Sequence, residues 1–150
     1  MRGIALLLML TASVLLAASG VAWAVTKTCP PDPKKCLGTS GADVLKSTSK
    51  NNDMLGKGGN DTYTSFVRGN SGRDGIYDSG GRDKLVLTNY SRSEVKFEAV
   101  DWNNNGKPDS LGLRLGGSQN TVLIAYYYDD TRSRPPFNRG PGYIEDILTK

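Results

Sequence analysis

Apolar positions fall along this chain in three distinct patterns. Residues 4–16 are almost continuously apolar behind the charged Arg2, and Ala22-Trp23-Ala24 ends the stretch with a small-x-small triplet. This predicts a secretory signal over residues 1–24, cleaved ahead of Val25. The twenty-two weakly polar residues after Arg2 are long enough to act as an uncleaved anchor, but the triplet favours removal, with no membrane span afterwards and a secreted product. From 38 to 86 the apolar residues are single and widely spaced among Gly, Asp, Asn and Ser. Beyond that, alternation predicts strands over 84–90, 95–100, 111–115, 121–128 and 143–147. The expected division is a signal (1–24), a Pro-rich N-terminal linker (25–37), a repeat region (38–86) and a β cap (87–150).

The repeat region has a regular grammar. Anchored on Asp43, Asp53, Asp61, Asp74 and Asp83, each unit has Gly41, Asn51, Gly59, Gly72 or Gly81 two residues earlier. All of these tolerate left-handed backbone. Two residues later stand Leu45, Leu55, Tyr63, Ile76 and Leu85, and five residues earlier Gly38, Thr48, Gly56, Gly69 and Asp78. The intervals between the Asp residues are 10, 8, 13 and 9, the 13 arising from about four extra residues around Ser65 to Arg68. Each unit reads as a six-residue turn followed by a three-residue strand with its central side chain inward.

These units resemble the RTX, or hemolysin-type calcium-binding, nonapeptide G-G-x-G-x-D-x-U-x. Gly56-Lys57-Gly58-Gly59-Asn60-Asp61-Thr62-Tyr63-Thr64 is the best copy; the units beginning at Gly38 and Gly69 are good ones, and those beginning at Thr48 and Asp78 are degenerate. The resemblance covers about 50 residues, a third of the chain. It implies an all-β protein, a parallel β-roll followed by a capping β segment. Turns two units apart would then stack, with Asp43, Asp61 and Asp83 on one edge and Asp53 and Asp74 on the other. Calcium would lie between stacked turns, held by those carboxylates and by main-chain oxygens around Gly38, Gly41, Gly56, Gly58, Gly59, Gly69, Gly72, Gly80 and Gly81. Calcium takes six to eight oxygen ligands in flexible geometry, and short Gly-rich turns supply them through the backbone. Two or three usable sites are expected, with folding coupled to the metal. The alternative is a repeat that only makes tight turns. Thr39 and Asn70 replace the second Gly, Lys50 sits in one turn, and Arg73 and Arg82 adjoin their Asp residues. The chain is also basic, with a sequence pI of about 9.1.

Composition narrows the chemistry further. There is no His, which removes His-based catalytic relays and His-ligated zinc, and no catalytic activity is expected. Asp outnumbers Glu 12 to 3, as suits turns rather than helices. Removing Arg2 leaves 18 positive against 15 negative residues, a net +3, too little to suggest a nucleic-acid partner in an exported chain. Cys29 and Cys36 bracket the Pro-rich segment, and a structural disulfide between them is the first reading for an oxidising compartment; a disulfide to another molecule stays open. Asp101, Asn103, Asn105 and Asp109, with Gly106 between, are spaced like the start of an EF-hand loop. They fit equally a metal-free hairpin turn, since Gly112 replaces the closing Glu. Tyr126 to Tyr128 with Trp102 offer rings for a glycan, and the basic loop from Arg132 to Arg139 offers charge for an anionic envelope polymer. The function expected is therefore a secreted calcium-binding protein, the alternative an extracellular adhesion or polysaccharide-binding module.

Overall fold

The computed structural model describes residues 23–68, 72–117, 120–128, 140 and 142–150. Residues 1–22 of the expected signal, the turn glycine Gly69 and the basic loop 132–139 lie outside the described residues. Among those described, no helix is long and apolar enough to cross a membrane.

The chain forms strands β1 (Thr26–Thr28), β2 (Lys35–Leu37), β3 (Val44–Lys46), β4 (Asn52–Lys57), β5 (Thr62–Thr64), β6 (Arg73–Asp78) and β7 (Lys84–Leu87). A 3₁₀ turn over Arg92–Glu94 leads into β8 (Val95–Val100), β9 (Ser110–Leu115), β10 (Thr121–Ile124) and β11 (Asp146–Thr149). A five-stranded sheet runs β1-β3-β5-β7-β11 and a six-stranded sheet β2-β4-β6-β10-β9-β8. The period-2 geometry of a strand turns one central side chain per short strand inward. Leu45, Tyr63 and Leu85 come from the first sheet, and Cys36, Met54, Ile76 and Ile124 from the second. All are fully buried in one hydrophobic cluster.

Glycine lets the turns lie backbone to backbone. Gly59 and Gly81 have φ of +113° and +143°. A Cβ on Gly81 would come within 1.5 Å of the Gly59 carbonyl oxygen, and one on Gly59 within 2.4 Å of that of Gly41. A side chain there would separate the turns, so the spacing of glycine in sequence sets the spacing of strands in the sheet.

The all-β expectation agrees with these sheets, but the parallel β-roll with a separate cap does not. The five-stranded sheet is parallel throughout, whereas β9 runs antiparallel to both β8 and β10 in a mixed six-stranded sheet. The segments expected as a cap are instead strands of the two sheets: β10 pairs with β6 and β11 with β7, both in parallel. The reason is edge pairing. The exposed edges of β6 and β7 carry unpaired backbone groups, and strands from the second half satisfy them. The segment expected as a linker contributes β1 and β2, and Cys29 and Cys36 form a disulfide inside the core.

The second repeat unit also shifts by one residue. Asn52, not Asp53, is opposite Asp74, and Met54, not Leu55, points inward. Reading Asn52 in place of Asp53 makes the intervals 9, 9, 13 and 9. The extra residues of the third interval bury Phe66 in the core, where Asn89 Nδ2 and the Tyr90 hydroxyl donate to the carbonyls of Phe66 and Val67. Asn52 Oδ1 accepts the Thr48 amide at 2.9 Å and its Nδ2 donates to the Pro30 carbonyl at 2.9 Å. Replacing Asn52 by Ala strands buried partners, so Asn52→Ala is expected to cost about 2–3 kcal/mol and Asp53→Ala under about 0.5. Urea unfolding of the two variants measures the difference; equal losses would restore the original anchoring.

Candidate metal centre

Along one edge of the five-stranded sheet the backbone amides donate into a row of carboxylates. Val25 N–H donates to Asp43 Oδ1 (2.7 Å), Asp43 N–H to Asp61 Oδ1 (2.8 Å), Asp61 N–H to Asp83 Oδ1 (2.8 Å) and Asp83 N–H to Glu145 Oε2 (2.7 Å). Each bond joins a residue just ahead of one strand to its counterpart ahead of the neighbouring strand. Asp43, Asp61 and Asp83 are thus brought to one edge, as the resemblance to the nonapeptide implies. Glu145, ahead of β11, ends the row.

The members of the row differ in what remains free. Asp43 Oδ2 accepts the Thr39 amide at 2.5 Å, and both its oxygens face the Thr39 hydroxyl. Asp61 Oδ2 and Asp83 Oδ2 are buried and have no hydrogen-bond partner. Their carboxylates gather with that of Asp78, the last residue of β6 in the opposite sheet, one oxygen of each lying within 4.8 Å of the others. Asp78 also accepts the Tyr63 hydroxyl through Oδ2 and the Gly80 amide through Oδ1 at 2.9 Å. Gly56 closes the cluster. A Cβ there would sit 2.3 Å from both Asp61 Oδ2 and Asp78 Oδ2, so the position excludes any side chain.

This donor set suits a hard cation. Oxygens about 2.3–2.6 Å from a common centre lie at most about 5 Å apart, and the three carboxylates meet that condition. Carboxylates without nitrogen or sulfur suit hard divalent ions such as magnesium, calcium or manganese.

Electrostatics point the same way. Burial pushes Asp61 up to about 7 against the restraining amide of Asp43, and the charges of Asp78, Asp43 and Asp83 add to it. Burial likewise pushes Asp83 up to about 6, opposed by the Asp61 amide and assisted by Asp78 and Glu145. The Tyr63 phenol is raised by burial and then by Asp78, so it remains a donor. Close buried carboxylates resist ionising together, so a cation would compete with protons for Asp61 and Asp83.

The other expected ligands are placed differently. Asp74 is buried but saturated, accepting the Asn52 amide at 2.9 Å and the Ser47 hydroxyl at 2.8 Å. Asp53 turns to the outer face, so the second edge pairs Asp74 with the amide of an Asn rather than with a second carboxylate. Gly38 packs against Asp43 Oδ2 and the Gly56 carbonyl. Gly72 packs against Asn51, away from the carboxylate cluster. Gly41, Gly58, Gly59, Gly80 and Gly81 lie in the stacked turns. In the loop from 101 to 109 the amides of Asn105 and Gly106 donate to Asp101, and those of Trp102 and Asn103 to Asp109. Asn103 and Asn105 accept the amides of Asn105 and Lys107. The loop therefore closes as a hairpin turn on its own amides. Asp78 was missed as a ligand because it occupies the place where the repeat calls for Gly; an acid at a glycine position is the signal that could have found it.

No protein-family model, curated protein or solved structure matches this chain, so the reading of the centre rests on its geometry.

The raised carboxylates have a definite consequence for stability. Unfolded Asp titrates near about 3.9, whereas Asp61, Asp74 and Asp83 hold protons in the fold up to about 7, 7 and 6. Between those limits the unfolded chain binds fewer protons, so stability falls as pH rises. Glu94, held at about 2 chiefly by Arg68, acts below this window. In chelator the urea midpoint is expected to fall from pH 4.5 to 7.5, and saturating calcium to flatten the slope. A midpoint that rises with pH in chelator would contradict the assignment.

Proposed function

We propose that this is an exported calcium-binding protein whose centre is formed by Asp61, Asp78 and Asp83 around Gly56, and whose calcium holds the two sheets together. One observation carries this reading: two buried carboxylates, each with an oxygen that has no hydrogen-bond partner, gather with a third carboxylate from the opposite sheet. A divalent cation would neutralise them and tie β5 and β7 to the end of β6. The resemblance of the turns to the calcium-binding nonapeptide supports the same ion. The role is structural rather than catalytic, set where calcium is millimolar; extracellular modules bind it at about 10⁻⁴ to 10⁻³ M. In a low-calcium cytoplasm the same carboxylates would repel and leave the chain loose for export.

Calorimetry on residues 25–150, chelated and then titrated with calcium, tests it. Saturable binding is expected, with little response to magnesium, which demands near-ideal octahedral geometry. Asp61→Asn, Asp78→Asn and Gly56→Ala should each weaken binding at least about tenfold, since each removes a ligand or its space. Asp53→Asn and Asp101→Asn should leave it unchanged. A flat titration, or equal loss on Asp53→Asn, would refute the centre.

A second reading, glycan binding, has its own observation. The outer face of the six-stranded sheet carries a groove of about 650 Å³. Across it Asp53, Gly75, Leu123, Gly112 and Glu98 stand in register on β4, β6, β10, β9 and β8. The Tyr77 ring lies over Gly75, 2.9 Å from where a Cβ would be, and the half-exposed Trp102 lines the same groove. Flat aromatic surface beside carboxylates and arginines suits a saccharide. Tyr127 and Tyr128, by contrast, pack against the core. If the groove binds glycan, Tyr77→Ala and Trp102→Ala will abolish retardation by polysaccharide in affinity electrophoresis at fixed calcium. Retardation unchanged in both variants, or absent from the parent across neutral and acidic polymers, excludes it.

A further inference from the structure

The carboxylate row begins at a residue with an unusual position in the chain. Val25 donates its backbone N–H to Asp43 Oδ1 at 2.7 Å, and its carbonyl accepts the Val44 amide at 2.7 Å. Strand β1 starts at the next residue, in register with β3. The nitrogen of Val25 is therefore held in place from both sides. It is also the nitrogen that the Ala22-Trp23-Ala24 triplet marks for exposure by cleavage.

We propose that hydrolysis of the Ala24–Val25 bond produces a charged partner for Asp43, the α-ammonium of Val25, and that this ion pair closes the open end of the carboxylate row. The inference rests on cleavage at the triplet and is independent of the calcium reading. Water adds its oxygen to the Ala24 carbonyl carbon and the C–N bond breaks. Ala24 leaves as a carboxylate, and the nitrogen takes up protons to become an ammonium.

Three features of the site support the pair. Asp43 is 1 % exposed, yet its hydrogen bonds come from neutral donors, the Val25 amide and the amide and hydroxyl of Thr39. The ion pairs found among the described residues join Arg68 to Glu94, Arg82 to Asp146 and Arg114 to Glu98, and none involves a member of the row. Cleavage would place a positive charge on an atom already within hydrogen-bond distance of this carboxylate. The segment ahead of Val25 holds on weakly: Trp23 is 80 % exposed, and its carbonyl accepts one bond, from the Thr39 hydroxyl at 2.9 Å. That hydroxyl also faces Asp43 and keeps this partner when Trp23 is gone. An α-amino group with an ordinary pKa of about 7.7–8.0 is mostly protonated at neutral pH, so cleavage adds the direct attraction of opposite charges to a hydrogen bond that is already in place. The precursor and the mature chain would thus differ in stability through one atom.

The test compares a chain released from a fusion to begin at Val25 with one that keeps Trp23 and Ala24, each with and without Asp43→Asn, in saturating calcium. The Val25 chain should be about tenfold more favourable in its folding equilibrium constant, a 1.36 kcal/mol difference. Asp43→Asn should erase that advantage. Equal stability of the two parent chains, or an advantage that survives Asp43→Asn, overturns the proposal. Should Asp43→Asn fail to fold, acylation of the α-amine mapped by mass spectrometry decides. In the folded Val25 chain it should be at least tenfold slower than in urea, whereas the amine of the longer chain should react at the unfolded rate. Reaction of the folded Val25 amine at the unfolded rate would overturn the pair. An exported protein whose first residue is not Val25 would overturn the processing step alone.

Discussion

A backbone amide donating into a carboxylate at the sheet edge is the contact on which the arrangement of this protein depends. It recurs from Val25 to Asp43, Asp61, Asp83 and Glu145, and each repetition ties the start of one strand to the start of the next. The bond is strong because it is charge-assisted. It is also demanding, because it gathers negative charge on a single edge. The compact turns let the carboxylates reach those amides, and the same compactness leaves Asp61 and Asp83 each with an oxygen that no protein group satisfies. Stability of the edge and appetite for a cation are two results of one geometry.

The cluster sits where the two sheets meet. Asp61 and Asp83 precede β5 and β7 of one sheet, Asp78 ends β6 of the other, and Tyr63 carries the connection into the core through its hydroxyl. Tyr63 is an inward residue by position and a polar partner by chemistry. Its ring belongs to the hydrophobic cluster while its oxygen belongs to the centre. Occupancy of the proposed centre would in this way be coupled to packing between the sheets rather than to a surface loop.

Much of this was legible in the sequence, and the parts that were not have physical causes. The grouping of Asp43, Asp61 and Asp83 was implied by the resemblance of their units to the calcium-binding nonapeptide, in which turns two units apart stack. The sequence pattern points to Asp53 because a carboxylate looks like the ligand. Asn52 joins the second edge through its backbone amide, which donates to Asp74, while its side-chain oxygen accepts the Thr48 amide of its own turn. Asp78 was hidden by occupying a glycine position. The strands after residue 94 were recognisable by alternation, but their partners were not. Alternation reports which side of a strand is buried and says nothing of which edge it will join. That limit explains why a cap was expected where the sheets simply continue.

The interval of thirteen residues between Asp61 and Asp74, filled by the buried Phe66, has a consequence of its own. Nine-residue units that look alike could slide past one another by a whole unit, each offset nearly as favourable as the next. A single longer interval removes that degeneracy. Its surplus residues fit only where a hydrophobic socket awaits them, so they act as a key that admits one threading of the chain and rejects its neighbours.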